Sequence, residues 1–391
     1  MKKIIANLSL SAFLFTTVLS TSSQACTRVM CTEGDRVITS RSMDWKRNIP
    51  TSLWVFPRGM SKEGGVGKNF LNWTSKYGSV VAVGYNAVTA DGMNEKGLVA
   101  NLLWLSEAKY GKSNKPSLSI GAFAQYVLDS YATVEEAVKG LKETSFQIKS
   151  ASLPGNEITL PKGTPIPTGK GNIVKLPKAL TIHLPTTMHL AISDAKGDSA
   201  IVEFIKGEMV INHSKKYKVL TNSPTFEKQL AIDSYWKEVG GNAMLPGTHR
   251  PADRFVRADF YTNHPVVGKQ SKLYTTDEKM AVAKAFSIIR EASVPLGISI
   301  PLVSLPNGIN KPFRILPASS TIWRSVADQK ALKYYFDGAI SPSTFWVDIN
   351  KLNLNKGADV KKLDLSDYPN YAGEVSEKFV KSKPFEFLTS K

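Results

Sequence analysis

Cysteine and histidine are the scarce residues of this 391-residue chain, which has two of the first and five of the second. Two cysteines, Cys26 and Cys31, cannot build a disulfide framework. They lie five apart on what reads as one strand, hence on opposite faces of it, which argues against a bond between them. His183, His189, His213, His249 and His264 have no zinc-ligand spacing and read as structural or surface residues. The chain also lacks a Gly-x-Ser-x-Gly turn and a carboxylate pair of glycosidase type, so those hydrolase classes find no support. Beyond residue 25 no apolar run approaches the ~20 residues of a membrane-spanning helix. Acidic residues are few, 33 against 50 lysines and arginines, for a formal net charge of +17. The basic residues are scattered and no nucleic-acid module is recognisable. The excess therefore reads as a solvated basic surface that can attract anionic small molecules.

What the chain does have begins at its start. Met1-Lys2-Lys3 is basic, Ile4 to Leu19 is mostly apolar, and small residues stand at Ser23 and Ala25. That is the pattern of an export signal cut after Ala25. The expected organisation is a signal peptide over residues 1–25 and one domain over residues 26–391, carrying a proline-rich insertion at about 150–185. The cut would expose Cys26 as the first residue of a periplasmic or secreted protein without a membrane anchor. A lipid-anchored cysteine is the competing reading, but that signal normally has leucine where this chain has Ser23.

A terminal cysteine is a self-contained nucleophile. A thiol attacks as thiolate, and at an ordinary pKa near ~8.5 only a few per cent is ionised at neutral pH. An α-amino group titrates at about 7.7–8.0 and can take the thiol proton without a histidine. Arg41 lies fifteen residues after Cys26 and returns beside it if Thr27–Met30 and Arg36–Ser40 form a hairpin across Glu33-Gly34-Asp35. Its charge would favour the thiolate. Asp44 would accept a hydrogen bond from the α-ammonium or the thiol.

Along the chain, Thr51–Pro57 reads as a strand or an ordered loop, Ser79–Asn86 as a strand, and Asp91–Leu98 as a turn into a strand over Val99–Leu105. Ser119–Leu128 and Thr133–Phe146 read as helices. The second opens on a capping box, Thr133-Val134-Glu135-Glu136, with Val134, Ala137, Val138 and Leu141 on one face. Six prolines between Ser150 and Pro185 break helix and strand alike and predict a long loop, either a lid or a tolerated surface insertion. Met188–Ser193 and Ser199–Ile205 pair across Asp194–Asp198, and Glu208–Asn212 and Tyr217–Thr221 follow as strands. Helices are expected over Phe226–Tyr235 and from Thr275 to Arg290. Thr321–Val326 and Lys333–Phe336 form a hairpin, and Phe345–Ile349 is a last strand. This grouping suits an α+β fold of two stacked antiparallel sheets covered by helices.

Cys26-Thr27-Arg28 followed by Arg41-Ser42-Met43-Asp44-Trp45 resembles the choloylglycine hydrolase family, which includes bile salt hydrolases and penicillin V acylases. Asp91-Gly92-Met93-Asn94-Glu95-Lys96-Gly97-Leu98, Thr221-Asn222-Ser223-Pro224 and Arg254-Phe255-Val256-Arg257 extend the likeness along nearly all of residues 26–391. The resemblance implies a four-layer αββα N-terminal-nucleophile fold with no cofactor and no metal. It implies Cys26, Arg41, Asp44, Asn222 and Arg254 as catalytic residues. The Asn222 amide and the backbone N–H near Trp104 would hold the oxyanion, and one such donor is worth about 3–4 kcal/mol of barrier. Arg257 is expected in a structural salt bridge.

The activity implied is hydrolysis of a linear, non-peptide amide through a thioester. Met43, Trp45, Trp104 and Leu105 are expected to wall a pocket for an apolar acyl group. Conjugated bile salts are the favoured substrates, with penicillin V and N-acyl homoserine lactones as alternatives. Relatives suggest a homotetramer that acts on small molecules and binds no nucleic acid. A non-catalytic exported binding protein on the same fold is the reading from another class. It would be expected to have lost one of the five catalytic residues, and all five are present.

Overall fold

The computed structural model describes residues 26–154, 156–167, 173–240, 244–263, 277–297, 299–300, 316–317, 319–367 and 370–387. The signal-peptide assignment, Thr275-Thr276, Gly241 and His264 lie outside the described residues.

The strands of the two large sheets begin with β1 (Thr27–Glu33), β2 (Arg36–Trp45), β3 (Thr51–Phe56), β4 (Ser79–Gly84), β5 (Val88–Asn94) and β6 (Val99–Trp104). Next come β7 (Met188–Ser193), β8 (Ser199–Ile205), β9 (Glu208–His213), β10 (Val219–Leu220) and β11 (Ser320–Asp328). The last are β12 (Lys333–Gly338), β13 (Thr344–Asp348), β14 (Lys361–Asp364), β15 (Gly373–Glu374) and β16 (Val380–Lys381). The seven-stranded sheet runs β10-β1-β2-β11-β12-β13-β15 and the nine-stranded sheet β9-β8-β7-β6-β5-β4-β3-β14-β16. Neighbours are antiparallel except β13 and β15. Helices α1 (Ile120–Ser130) and α2 (Val134–Lys142) belong to the nine-stranded side, where α1 packs on β5 and β6. Helices α3 (Phe226–Gly240), α4 (Pro251–Asn263) and α5 (Glu278–Glu291) belong to the other side, with α4 and α5 against β1. The result is the αββα sandwich, with an apolar layer between the sheets formed by residues such as Val80, Val99, Ala327 and Tyr334.

Local chemistry explains most boundaries. The β1–β2 hairpin closes on Gly34 at φ +59°, with Glu33 opposite Arg36. Thr133 caps α2 by accepting from Glu136 N, and Val134, Ala137, Val138 and Leu141 are all buried. Glu136 returns its carboxylate to Ala132 N, one residue earlier than a reciprocal capping box requires. Asp277 caps α5 by accepting from Met280 N.

Three expectations are corrected. Asp91-Gly92-Met93-Asn94 is strand rather than turn, and the chain reverses at Glu95-Lys96-Gly97. Gly92 is there for close approach, since a Cβ would meet Val81 Cγ1 at 2.5 Å and Val80 O at 2.7 Å on the neighbouring strand. The proline-rich insertion is not a plain loop. Glu157–Leu160 pairs with Leu180–His183, and Pro165–Pro167 pairs with Ile173–Lys175. Prolines end these short ladders rather than forbidding them, as edge positions allow. Finally, α2 stops at Lys142, short of Phe146, and α3 runs on to Gly240, past Tyr235.

Candidate active site

Cys26 directly precedes β1, and the hairpin register sets Thr27 opposite Ser42 and Arg28 opposite Arg41. The end of β2 therefore lies beside Cys26. Arg41 Nη2 stands 3.7 Å from Cys26 Sγ and 3.2 Å from Met43 Sδ. The thiol is also 3.8 Å from the carbonyl oxygen of Asp44. A bulge between Met43 and Asp44 interrupts the β2–β11 ladder at this point, a common device for re-aiming side chains at a site.

On the helix side of the sheet, Arg254 of α4 is fully buried. Its Nη1 donates to Cys26 O at 3.0 Å and to Thr27 Oγ1, its Nη2 to Asn222 Oδ1 at 3.4 Å, and its Nε to His249 O at 3.1 Å. Asp44 is 3.7 Å from Arg254 and accepts from Thr321 Oγ1 and from Ser42 Oγ. Its carboxylate was expected on the cysteine amine or thiol. Strand alternation turns it instead to the arginine, and only its main-chain carbonyl meets the sulfur. Burial pushes the Asp44 carboxyl up to about 6, against the pull of Arg254, Thr321, Ser42 and Arg41. Arg254 is lowered by burial, against the pull of Asp44 and Cys26. Two guanidinium groups and one carboxylate are thus gathered around Cys26, with Arg41 the cation beside the sulfur.

Asn222 follows β10 in a turn that Gln229 holds from within. Gln229 Nε2 donates 2.6 Å to both Asn222 O and Pro224 O, and its Oε1 accepts from Thr221 N at 3.1 Å. Asn222 Oδ1 accepts from the main-chain N of Cys26, and Nδ2 donates to Trp104 O at 2.8 Å. One amide proton is spent on that carbonyl, which leaves the second for a ligand. Trp104 is placed by the ladder. Leu105 N donates to Thr187 O across the β6–β7 edge, so Trp104 turns its own N–H and C=O to the other edge, towards the cysteine.

That other edge is split. β5 and β6 pair only as far as Asp91 and Asn101. Beyond it the Arg41 guanidinium enters the gap, donating to Ala90 O at 2.8 Å and Leu102 O at 2.9 Å. The parted strands form a cavity of about 40 Å³ beside Cys26. Met43, Trp45 and Trp104 line it as expected, and the two tryptophan rings lie 5.7 Å apart. Leu105 does not line it; alternation sends its buried side chain to the opposite face of β6. Residues that no motif marked complete the wall, among them Tyr85, Met188 and Leu153. Tyr85 and Asn86 sit at φ 56° and 48° in the three-residue turn between β4 and β5, and an Asn in such a turn is a readable signal. Leu153 comes from the root of the proline-rich insertion and has no comparable signal.

Arg257 pairs with Glu291 at 2.7 Å and donates to Pro246 O and Thr248 O, the structural role expected of it. Both cysteines are free. No group of three His, Cys, Asp or Glu placed to hold a metal occurs among the described residues.

The family model for linear amide C–N hydrolases, choloylglycine hydrolase family, matches residues 26–161 and 169–367. The chain is 44% identical to a penicillin V acylase of Pectobacterium atrosepticum, covering 99% of this chain and 97% of that protein. It is 29% identical to a bile salt hydrolase/transferase of Clostridium perfringens over 56% of this chain and 66% of that one. The solved structure of a penicillin V acylase from Agrobacterium tumefaciens superposes with a TM-score of 0.73 at 44% identity, covering 93% of this chain and all of that one. A variant of the conjugated bile acid hydrolase of Clostridium perfringens, at 21% identity and a TM-score of 0.61 over 90% of this chain and 98% of that one, shares the fold. With the two-sheet sandwich and the Cys26 cluster in place, these matches make the chain a member of the choloylglycine hydrolase family of linear amide C–N hydrolases.

Proposed function

We propose that the chain is exported, loses residues 1–25, and hydrolyses amides with Cys26 as nucleophile and base in one residue. The observation that carries this is the convergence of Asn222 on the Cys26 main-chain nitrogen, Arg41 on its sulfur and Arg254 on its carbonyl. Once Ala25 is removed, that nitrogen is an amine held 'base-ready' by the Asn222 oxygen. It takes the thiol proton, and the thiolate adds to the substrate carbonyl. The second Asn222 amide proton and the Trp104 N–H bind the resulting oxyanion. The tetrahedral adduct collapses to a thioester as the ammonium protonates the leaving amine. Water, deprotonated by the freed amine, then releases the acid and restores the thiol.

For the acyl group we favour an aryloxyacetyl chain of the penicillin V kind. The relative at 44% identity is a penicillin V acylase, and the cavity beside Cys26 is narrow and walled by two tryptophans. A flat aromatic ring suits such a slot, whereas a hydroxylated steroid needs width and polar partners. Bile salts were favoured on sequence, and the bile salt hydrolase relative keeps them as the second reading. N-acyl homoserine lactones, with a plain alkyl chain, are the third. The test is intact mass and N-terminal sequencing of the exported protein, with amine release measured from penicillin V, glycocholate and an acyl homoserine lactone. A free Cys26 terminus, fastest turnover of penicillin V and loss of turnover in Cys26→Ala support the proposal. A chain that begins elsewhere and turns over none of the three would sink it.

A further inference from the structure

Two segments far apart in sequence meet at the mouth of the oxyanion site, and a carboxylate outside every family motif joins them. Ser223 Oγ donates to Glu107 Oε2 at 2.6 Å, and the same oxygen accepts from Ser106 N at 3.2 Å. Ser223 directly follows Asn222, and Ser106 and Glu107 lie just beyond Trp104. The Trp104 indole Nε1 in turn donates to Ser106 Oγ at 3.2 Å. With Asn222 Nδ2 on Trp104 O, these bonds close a ring that contains both oxyanion donors. Glu107 is half-buried, and no ion pair to it occurs among the described residues.

We propose that Glu107 and Ser223 form a latch that fixes the gap between the Asn222 amide and the Trp104 N–H, making them positioning residues for the hydrolysis proposed above. The two donors come from different parts of the fold. Trp104 ends a strand of the nine-stranded sheet, while Asn222 stands on a turn that Gln229 grips only from its buried side. The amide of Asn222 alone bridges them directly, and one of its protons must also serve the oxyanion. A donor pair is useful only if both hydrogens reach one oxygen at about 3 Å, and misplacement by about 1 Å can cost on the order of a hundredfold in rate. The Glu107 side-chain oxygen supplies the acceptor that keeps the Ser223 hydroxyl turned across the gap. Neither Glu107 nor Ser223 touches the sulfur or lines the cavity, and they reach its wall only through Ser106 and the Trp104 indole, so the latch acts on the transition state more than on binding.

The experiment uses the mature enzyme and three variants, Glu107→Ala, Ser223→Ala and Glu107→Gln. Each is assayed for kcat and KM with the best amide of the wild type, and for the rate of Cys26 alkylation by iodoacetamide. Alkylation is a displacement at carbon that forms no oxyanion, so it reports the nucleophile and the fold apart from the donors. The expected result is a fall in kcat of about 10- to 100-fold in both alanine variants. KM should stay within about twofold and alkylation should be unchanged, with most of kcat restored by Glu107→Gln, whose amide oxygen still accepts. Unchanged kcat in Glu107→Ala and Ser223→Ala overturns the latch. So does an alkylation rate that falls in step with kcat, which marks general structural damage. A wild-type protein that alkylates at Cys26 but hydrolyses no amide overturns the proposed function itself, and the latch with it.

Discussion

Arg41 crosses from one sheet into the other and donates to the carbonyl of Leu102 at 2.9 Å, where the β5–β6 ladder has stopped. The same guanidinium takes the Ala90 carbonyl on the opposite lip at 2.8 Å and lies 3.7 Å from Cys26 Sγ. One side chain thus does three jobs: it satisfies two buried carbonyls that lost their strand partners, it props the cavity beside Cys26 open, and it sets a positive charge beside the sulfur. Trp323 stacks on it, with the guanidinium carbon 5.0 Å from the ring centroid.

Arg41→Lys keeps the charge but has a single nitrogen, which cannot span both carbonyls. We expect kcat/KM to fall by at least about 100-fold and the thermal midpoint to drop, because a buried carbonyl left without a donor costs about 1–3 kcal/mol. A variant with wild-type stability and wild-type kcat/KM would remove Arg41 from both roles.

Asp44 makes a prediction about acid. Its carboxyl is raised by burial to about 6 from an ordinary 3.8. A raised pKa means that the native state binds the proton more tightly than the unfolded chain. The stabilising contribution is complete below about 3.8 and fades as pH rises through about 6. Between pH 8 and pH 5 the wild type should gain about 1 kcal/mol from this group, a gain absent in Asp44→Asn. Activity should move the other way, since a neutral Asp44 loses its ion pair with Arg254, the side chain that holds the Cys26 carbonyl. An acid limb in kcat/KM near pH 6 is expected, and urea melts at the two pH values check the stability half. An unaltered pH dependence of stability in Asp44→Asn would refute the assignment.

Local signals carried most of the fold into view from the sequence. Glu33-Gly34-Asp35, the Thr133 cap and the Asp194–Asp198 turn each specify a reversal or a helix start within a few residues, and each sits where expected. Cys26, Arg41, Asn222 and Arg254 converge as the resemblance implied. Illegible features depend on partners distant in the chain. Asp91-Gly92 has the composition of a turn, and only the proximity of Val80 and Val81 explains the glycine as a strand residue. The direction of the Asp44 carboxylate is set by Thr321, which is 277 positions away. Leu105 was assigned to the wall by its neighbour Trp104, and one step along a strand reversed its face.

Cys31 supplies a negative prediction. It lies on β1 facing α5, and burial pushes its thiol up to about 11 against the pull of Lys284 and Lys218. A thiol of that kind holds almost no thiolate at neutral pH. Iodoacetamide should therefore add a single equivalent to the native protein, all of it on Cys26, and none to Cys26→Ala until the fold is melted. Mass spectrometry of the labelled peptides decides it, and a second label on native protein would show that the β1–α5 layer opens.

Leu153 tests how the proline-rich insertion takes part in substrate choice. The two arms of that insertion are tied to each other at its root by Leu184 N to Asn156 O at 2.9 Å, Asn156 Nδ2 to Leu184 O at 3.1 Å and Ser150 Oγ to Thr186 O at 2.8 Å. These bonds hold Leu153 in the cavity wall with Met188 and Trp104, although the strand Leu180–His183 further out is exposed. If the acyl group enters this cavity of about 40 Å³ as proposed, a leucine fixed in its wall limits the width of that group. Leu153→Ala removes three carbons from that wall, a change of the size that alters discrimination by about 10- to 200-fold per methylene or so of misfit. The ratio of kcat/KM for glycocholate to that for penicillin V should rise by about tenfold or more, while the rate of Cys26 alkylation stays unchanged. Leu153→Trp should shift the ratio the other way by closing the slot to anything broader than a flat ring or a chain. If both variants leave the ratio where it was, the insertion is a surface feature and the width of the acyl site is set by the tryptophan pair alone.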